Sequence, residues 1–412
     1  MTHPHYDVVI IGAGPSGSVA SAILNQKGYR VLVVERQHFP RFSIGESLLA
    51  QTIVFLEEAG LVDAVRQGGF QFKDGAVFNY QERKADFDFH AKSCEGPAET
   101  FQVQRAQFDK LLIDEVEKKG VEVWYGTEVK DINFNDNQAV VSYQKDDGET
   151  GKVTARFCLD ASGFGRVLPR LLKLDRPSEF PTRQSFFTHI EDGITDNSFN
   201  RDRILITIHP QCRDIWYWLI PFPNGISSIG VVGESKYFDA CGIKENKLLL
   251  KHYLDADPYL KTILAQARFS NPVQTIHGYA SSVSSLYGKH FALLGNAGEF
   301  LDPVFSSGVT IAMKSSSLAA KAIDRHFKGE VVDWQKDYAD ELMYGVNSFK
   351  AFVHAWYCGD LADIFYSKSA DDPKIYSHIC SILAGYAWDR GNPYTGENAA
   401  RRLRTLAEIC RG

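Results

Sequence analysis

The sequence predicts an α/β protein: a dinucleotide-binding fold, discontinuous along the chain, with an inserted antiparallel β-sheet lobe and a helical C-terminal segment. Three observations predict it. A complete strand–helix–strand unit fits within the first 35 residues, and its first turn is the glycine-rich Gly12-Ala13-Gly14-Pro15-Ser16-Gly17. Dinucleotide features recur far downstream, where short apolar runs feed into Asp160-Ala161-Ser162-Gly163 and Leu294-Gly295-Asn296-Ala297-Gly298. Between these runs lie segments that alternate apolar and polar residues, the period of antiparallel strands.

In chain order, Asp7-Val8-Val9-Ile10-Ile11 is apolar and β-branched, as a strand buried on both faces must be. Val19, Ala20, Ile23 and Leu24 then give a helical stripe that stops at Gly28, and Val31-Leu32-Val33-Val34 forms a second buried strand closed by Glu35. A loop from Arg36 to Leu49 leads to a helix through Leu56 with a stop at Gly60. Residues 75–89 read as antiparallel strands, and 101–119 as a short strand and a helix, with Val121, Val123 and Trp124 returning to the sheet. Residues 132–157 form a β-meander turning at Asp146-Asp147-Gly148. Alternating β resumes over 185–234, followed by a helical stretch over 244–267 and an apolar strand at Phe291-Ala292-Leu293-Leu294; everything after Ser306 has a helical period. The dinucleotide-binding parts are thus expected at 1–75, 101–184 and 286–340. Parts of a substrate lobe are expected at 76–100 and 185–285, with a C-terminal helical segment at 341–412.

At 412 residues the chain exceeds what one core usually serves, in keeping with two interleaved lobes. Hydrophobic residues at 44% and charged residues at 23% are globular proportions. The net charge of −6 excludes the basic surface of a nucleic-acid binder. No run approaches the roughly 20 apolar residues of a membrane span. The start, Met1 to Asp7, is short and polar and runs straight into a strand, so no signal peptide is expected. Seven dispersed cysteines without a paired motif read as free thiols in a reducing cytoplasm, and no metal site is expected.

The glycine turn has a chemical rationale at each position. Gly12 permits the tight turn, Gly14 lets a pyrophosphate approach the backbone, and Gly17 lets helix and strand pack closely. The helix N-terminus, with Ser16 in its first turn, offers N–H groups and a positive dipole end to phosphates. Glu35 stands where a carboxylate accepts bonds from ribose hydroxyls. These features do not separate FAD from NAD.

Other segments make that separation by resemblance. Val103-Gln104-Arg105-Ala106-Gln107-Phe108-Asp109, Asp160-Ala161-Ser162-Gly163 and Leu294-Gly295-Asn296-Ala297-Gly298 resemble recurrent segments of the glutathione-reductase-type FAD fold. Pro40-Arg41-Phe42-Ser43-Ile44-Gly45-Glu46-Ser47-Leu48-Leu49 looks like the flavin-proximal loop of flavin-dependent halogenases, and Trp216-x-Trp218-x-Ile220-Pro221 matches a motif of that family. The chain therefore resembles the phenol- and pyrrole-type flavin-dependent halogenases, close to halogenase-like FAD oxidoreductases of aryl polyene-type pathways. The resemblance implies FAD held by Gly12, Gly14, Ser16, Gly17, Glu35, Arg36, Arg41, Ser47, Arg105, Asp160, Gly163, Gly295, Asn296 and Asp302. By itself, Arg105 also reads as a surface helix-start charge.

The same resemblance gives Lys73 the catalytic role, although a lysine in such a setting otherwise reads as a solvated loop residue. Hypohalous acid must be held and aimed, and a lysine in an apolar pocket is a hydrogen-bond donor or a transient haloamine. Asp302-Pro303-Val304-Phe305-Ser306-Ser307-Gly308-Val309 resembles the halide-holding segment, with the N–H groups of Ser307 and Gly308 as donors to chloride or bromide; the same groups serve the flavin ring in non-halogenating relatives. Trp216 and Trp218 share one strand face, either as a tunnel wall with Pro221 and Phe305 or as core residues. Phe305 replaces the glutamate of tryptophan halogenases, which argues against free tryptophan as substrate.

The implied activity is halogenation of an electron-rich phenol or pyrrole, free or bound to an acyl or peptidyl carrier protein. No second dinucleotide fingerprint is present, and the resemblance implies a separate NAD(P)H-dependent flavin reductase that supplies reduced flavin. The alternatives are an FAD-dependent monooxygenase or dehydrogenase of a polyene or lipid pathway, and a non-halogenating flavoprotein partner in a biosynthetic assembly.

Overall fold

The computed structural model describes residues 4–135, 137–195, 197–278, 281–367 and 372–411. Its first sheet is centred on β1 (His5–Ile11), flanked in parallel by β2 (Val31–Val34) and β10 (Thr150–Asp160). It extends through β7 (Glu122–Trp124) on one side and through β19 (Phe291–Leu293) and β18 (Tyr287–Gly288) on the other. The expected strands are present here, and β10 does double duty. Its first half pairs antiparallel with β9 (Ala139–Lys145), which pairs with β8 (Thr127–Phe134), while its second half runs parallel to β1. Val8 and Ile10 are buried against helices on one face of the sheet, and Val9 and Ile11 against the β8–β9 meander on the other.

The second sheet has the order β16 (Gln274–His277), β12 (Arg183–Glu191), β15 (Ile226–Glu234), β14 (Trp216–Pro221), β13 (Arg203–Ile208), β4 (Gly75–Tyr80), β5 (Arg83–Asp88). All neighbours are antiparallel except β13 and β4. Period 2 sorts its side chains. Tyr217 and Leu219 join a core with α6 (Ser235–Ala240), α7 (Asn246–Ala256) and α8 (Pro258–Ile263), whereas Trp216, Trp218 and Ile220 face the first lobe. Two small pairs complete the strands: β3 (Gln71–Lys73) with β6 (Thr100–Gln102), and β11 (Asp175–Arg176) with β17 (Ser282–Val283).

On the dinucleotide side stand α1 (Pro15–Gln26), α2 (Thr52–Glu58), α3 (Val62–Gln67), α4 (Arg105–Lys118), α5 (Val167–Leu171) and α9 (Ser307–Phe327). The chain ends in α10 (Glu341–Tyr357), α11 (Asp360–Phe365), α12 (Pro373–Leu383) and α13 (Ala399–Arg411). Three details depart from the sequence expectation. The short α3 follows the Gly60 stop. The helical stretch over 244–267 breaks at Asp257, an extended residue whose carboxylate caps the Leu260 N–H at 2.9 Å, just where Pro258 begins a new helix. Residues 384–398 are turns rather than helix, because Gly385 adopts a positive φ and Asn392-Pro393 interrupts the ladder. Among the described residues all seven cysteines are free, and no helix is long and apolar enough to cross a membrane.

Candidate active site

Parallel register assembles the site. Ile11 is level with Val34 and with Asp160, and Asp160 with Leu293, so the segments that follow these residues emerge on one line at the carboxyl ends of the strands. Just beyond that line lies a cavity of about 440 Å³. Gly12, Gly14, Ser16, Glu35 and Arg36 line one part; Gly163, Asn296, Ser306 and Gly308 line another; Trp216, Trp218 and Ile220 close it from the second sheet.

The glycines divide their work as their spacing implies. Gly12 has φ +100°, and a Cβ there would stand 2.6 Å from the Ala161 carbonyl oxygen. A Cβ on Gly17 would stand 2.0 Å from the Gly12 carbonyl oxygen, so α1 leaves β1 at a distance only glycine allows. Gly14, by contrast, meets only the Arg41 guanidinium at 3.3 Å, leaving its backbone open to the cavity. Glu35 accepts the Ala13 N–H and the Gln37 N–H, each at 2.8 Å, and is thereby aimed along the turn. The residues fit a flavin dinucleotide. Buried Arg41 Nε and Ser47 Oγ on the cavity wall have no hydrogen-bond partner among the described residues, and buried polar groups normally have one. Ser16 also ties α1 to α9 through Ser316 at 2.9 Å, which fixes two helix N-termini at the same cavity.

The loop carrying Arg41 to Ser47 is held from beneath. Arg105 binds Asp109 through Nε at 2.7 Å and Nη2 at 2.9 Å, and it donates to the Ile44 and Gly45 carbonyls. Asp109 also holds Arg41 at 3.1 Å. Val103 N–H donates to Glu46 O at 2.7 Å, and Leu48 N–H to Phe101 O at 3.1 Å, so the loop runs beside β6. Asp109 was missed as a site residue, although its i,i+4 spacing from Arg105 on a helix was a readable signal. It is fully buried. Asp109→Ala leaves two guanidinium groups facing each other without their carboxylate. The expected result is a loss of about 3 kcal/mol in chemical denaturation and weaker FAD retention; a denaturation midpoint and FAD content equal to wild type would refute the arrangement's importance.

Lys73 ends β3 and is wholly enclosed. Its Nζ donates to Leu48 O at 2.7 Å, one residue behind the cavity-lining Ser47, and does not itself line the cavity. Burial, aided by the nearby Arg203 charge, lowers its pKa from 10.5 to about 7. A second pair joins the two lobes beside the cavity: His189 Nε2 lies 2.6 Å from Glu46 Oε1. Burial works to lower the His189 pKa, but the hydrogen bond and charge of Glu46 overcome it and raise the value. No motif signalled this contact.

The remaining candidates stand one layer back. Asp160 accepts the Ser162 N–H at 2.9 Å and the Leu168 N–H at 2.6 Å, shaping the turn that exposes Gly163. Gly295 has φ +51°, donates its N–H to Ser315 Oγ at 2.9 Å, and lets α9 approach. Asp302 accepts the Val304 N–H and the Tyr357 hydroxyl. Ser307 is buried at the start of α9, while its neighbour Gly308 is open to the cavity. Pro221 falls past the cavity face of β14, and Phe305 packs among Phe78, Phe352 and Trp356 in the core. Trp216 and Trp218 lie side by side, ring centroids 5.9 Å apart, and the Trp218 ring covers Gly230.

Known proteins are similar to this chain in sequence and fold. The family described as FAD binding domain matches residues 5–209. A solved flavoprotein/dehydrogenase from Cytophaga hutchinsonii is 42% identical and superposes with a TM-score of 0.94, covering 99% of both chains. A 1H-pyrrole-2-carbonyl peptidyl-carrier-protein chlorinase of Pseudomonas fluorescens is 26% identical over 411 residues, covering 93% of this chain and 90% of its own. The solved flavin-dependent brominase Bmp2 is 27% identical with a TM-score of 0.82, covering 98% of each chain. With the glycine turn, Glu35, and the tryptophan wall meeting at one cavity, the chain belongs to the FAD-dependent oxidoreductase family that contains the flavin-dependent halogenases.

Proposed function

We propose that this protein halogenates an electron-rich phenolic or pyrrolic ring. The observation that carries the reading is that one cavity joins the dinucleotide turn, the N-terminus of α9 and the paired tryptophans. Gly12, Gly14, Ser16, Glu35, Arg36, Arg41, Ser47, Arg105, Gly163 and Asn296 hold FAD, with Gly17, Asp160, Gly295 and Asp302 shaping the turns around it. Bound FAD, when reduced, supplies the two electrons with which oxygen and a proton convert halide to hypohalous acid, water being the second product.

The chain's own groups do the rest. Ser307 and Gly308 offer N–H groups at a helix N-terminus to chloride or bromide. At Gly308 an added Cβ would meet only Asn296 Oδ1, at 3.8 Å, so an anion has room there. Trp216, Trp218 and Ile220 keep the cavity apolar, which strengthens every polar contact inside it. At a pKa of about 7, Lys73 is partly neutral near physiological pH, the form that forms an N–halogen bond with hypohalous acid as water leaves. To do so its amine leaves the Leu48 carbonyl and turns to the cavity. The second sheet carries the substrate, a free aromatic or one bound to an acyl or peptidyl carrier protein, and a separate NAD(P)H-dependent flavin reductase supplies electrons. The free thiols suit a cytoplasmic setting.

Two observations favour a second reading, an FAD-dependent dehydrogenase or monooxygenase: Lys73 is enclosed on Leu48, and the 42%-identical relative bears the name flavoprotein/dehydrogenase. Turnover decides between them. With a flavin reductase, NADH, oxygen, bromide and a panel of phenols and pyrroles, mass spectrometry is expected to find brominated product. Hydroxylated or dehydrogenated product at a rate indifferent to bromide would replace the first reading with the second.

A further inference from the structure

Four side chains from four parts of the chain meet behind the cavity wall. Trp216 Nε1 donates to the Tyr357 hydroxyl oxygen at 2.9 Å, and that hydroxyl donates to Asp302 Oδ2 at 2.7 Å. The Arg183 guanidinium lies 3.4 Å from the Tyr357 ring centroid and 4.0 Å from the Asp302 carboxylate. The direction of this relay is forced. An indole N–H only donates, so the tyrosine oxygen must accept it, and its own hydrogen is then free for the carboxylate. Asp302 Oδ1 in turn accepts the Val304 N–H at 3.1 Å, which closes the 3-10 turn Pro303–Phe305. That turn ends at Ser306, whose φ of +56° launches α9.

The relay therefore has its two ends on the cavity and its centre outside it. Trp216 lines the cavity on one side, and Pro303 and Ser306 line it on the other. Tyr357 lines no part of it and is the last residue of α10, in the C-terminal segment. Arg183 balances the buried carboxylate, so Asp302 stays an acceptor. Burial raises the Asp302 pKa, and the Tyr357 hydroxyl, the Arg183 charge and the Val304 N–H offset that rise only in part.

We infer that Tyr357 is a positioning residue that holds the Trp216 indole and the Asp302–Ser306 turn in one fixed relation across the cavity. Through it the C-terminal helices set the geometry of a site they do not touch. Only the chemical consequence of this inference rests on the proposed halogenation; the geometric claim is separate. A free indole turns within the cavity and the wall loosens, so that oxygen reduced there by two electrons and two protons would leave as hydrogen peroxide instead of converting halide to hypohalous acid.

Tyr357→Phe tests it, because the ring and its contact with Arg183 remain while both hydrogen bonds go. The FAD-loaded full chain is labelled with 5-fluorotryptophan, and its six tryptophans are followed by fluorine NMR, with Trp216→Phe assigning the Trp216 signal. In Tyr357→Phe the Trp216 signal is expected to shift or split while the signals of tryptophans outside this cluster stay. Asp302→Asn, which keeps the side-chain size, is expected to move the same signal and guards against poor folding of the first variant. A Trp216 signal unmoved in both variants overturns the inference.

With bromide and phenol, the ratio of brominated product to peroxide is expected to fall about fivefold in Tyr357→Phe, the factor that the lost bond to the Trp216 indole is worth. It is expected to fall no further in Tyr357→Phe/Trp216→Phe than in Trp216→Phe alone. Additive losses would mean that Tyr357 acts by another route and would also overturn it. If the wild type makes no brominated product, the halogenation reading falls, and the NMR result alone decides the role of Tyr357.

Discussion

Gly17→Ala is expected to leave a folded protein that no longer retains FAD. The added Cβ would lie 2.0 Å from the Gly12 carbonyl oxygen, well inside van der Waals contact, and the clashing atom is backbone rather than a flexible side chain. The turn must therefore open by more than an ångström. Overpacking of this kind costs about 1–3 kcal/mol in stability, which a large two-lobed protein survives. The cofactor site suffers more, because the displaced turn carries Gly14 and Ser16 on the cavity wall and Ala13, whose N–H holds Glu35. A loss of FAD affinity on the order of 100-fold is expected, the scale of an ångström misplacement in a positioned site. Fluorescence titration of the deflavinated protein measures it, with circular dichroism to confirm folding. Affinity within threefold of wild type would show that the turn does not set the cofactor's position.

Lys73→Met has two expected effects of different origin. The ammonium is wholly enclosed, and its pKa falls from 10.5 to about 7. Between those pH values the unfolded chain holds a proton that the folded chain does not, so stability rises with pH across that window. At and below pH 7 the burial penalty is fully present, on the order of 5 kcal/mol. Methionine removes that penalty but leaves the Leu48 carbonyl without its donor, at a cost of about 1–3 kcal/mol. The variant is therefore expected to be about 2 kcal/mol more stable than wild type at pH 6 and to lose that advantage as pH approaches 10. Parallel stability profiles across this range would contradict the enclosed lysine. In turnover, brominated product is expected to drop by a factor on the order of 10²–10⁴ while FAD remains bound. A more stable variant that still brominates would keep Lys73 as a clamp on Leu48 and remove it from the chemistry.

Much of the fold was legible because its signals are local. The strand at residues 7–11, the glycine turn and the helical stripe after it each declare themselves within a few residues, and period 2 placed Trp216 and Trp218 on one face. The misreadings came where a local break outweighed a longer period: Pro258 split one helix into two, and Gly385 with Pro393 turned residues 384–398 out of the helical run. The site was legible by motif but not by contact. Asp109 belonged to a quoted segment, yet its second partner, Arg41, lies 68 residues away. Glu46 and His189 are 143 residues apart and on different lobes.

By itself the sequence determined which elements form and which residues are suited to phosphate, ribose and an aromatic wall, since backbone propensity, burial period and glycine spacing act over a single turn or strand. Tertiary structure alone decided which of those residues share the cavity. The parallel register of β1, β2, β10 and β19 brings Gly12, Glu35, Gly163 and Asn296 together, and the facing second sheet adds the tryptophans. It also turned Lys73 away onto Leu48 and joined Trp216 to Asp302 through Tyr357. These outcomes depend on which buried donor finds an acceptor once distant strands pair, and no local pattern encodes that.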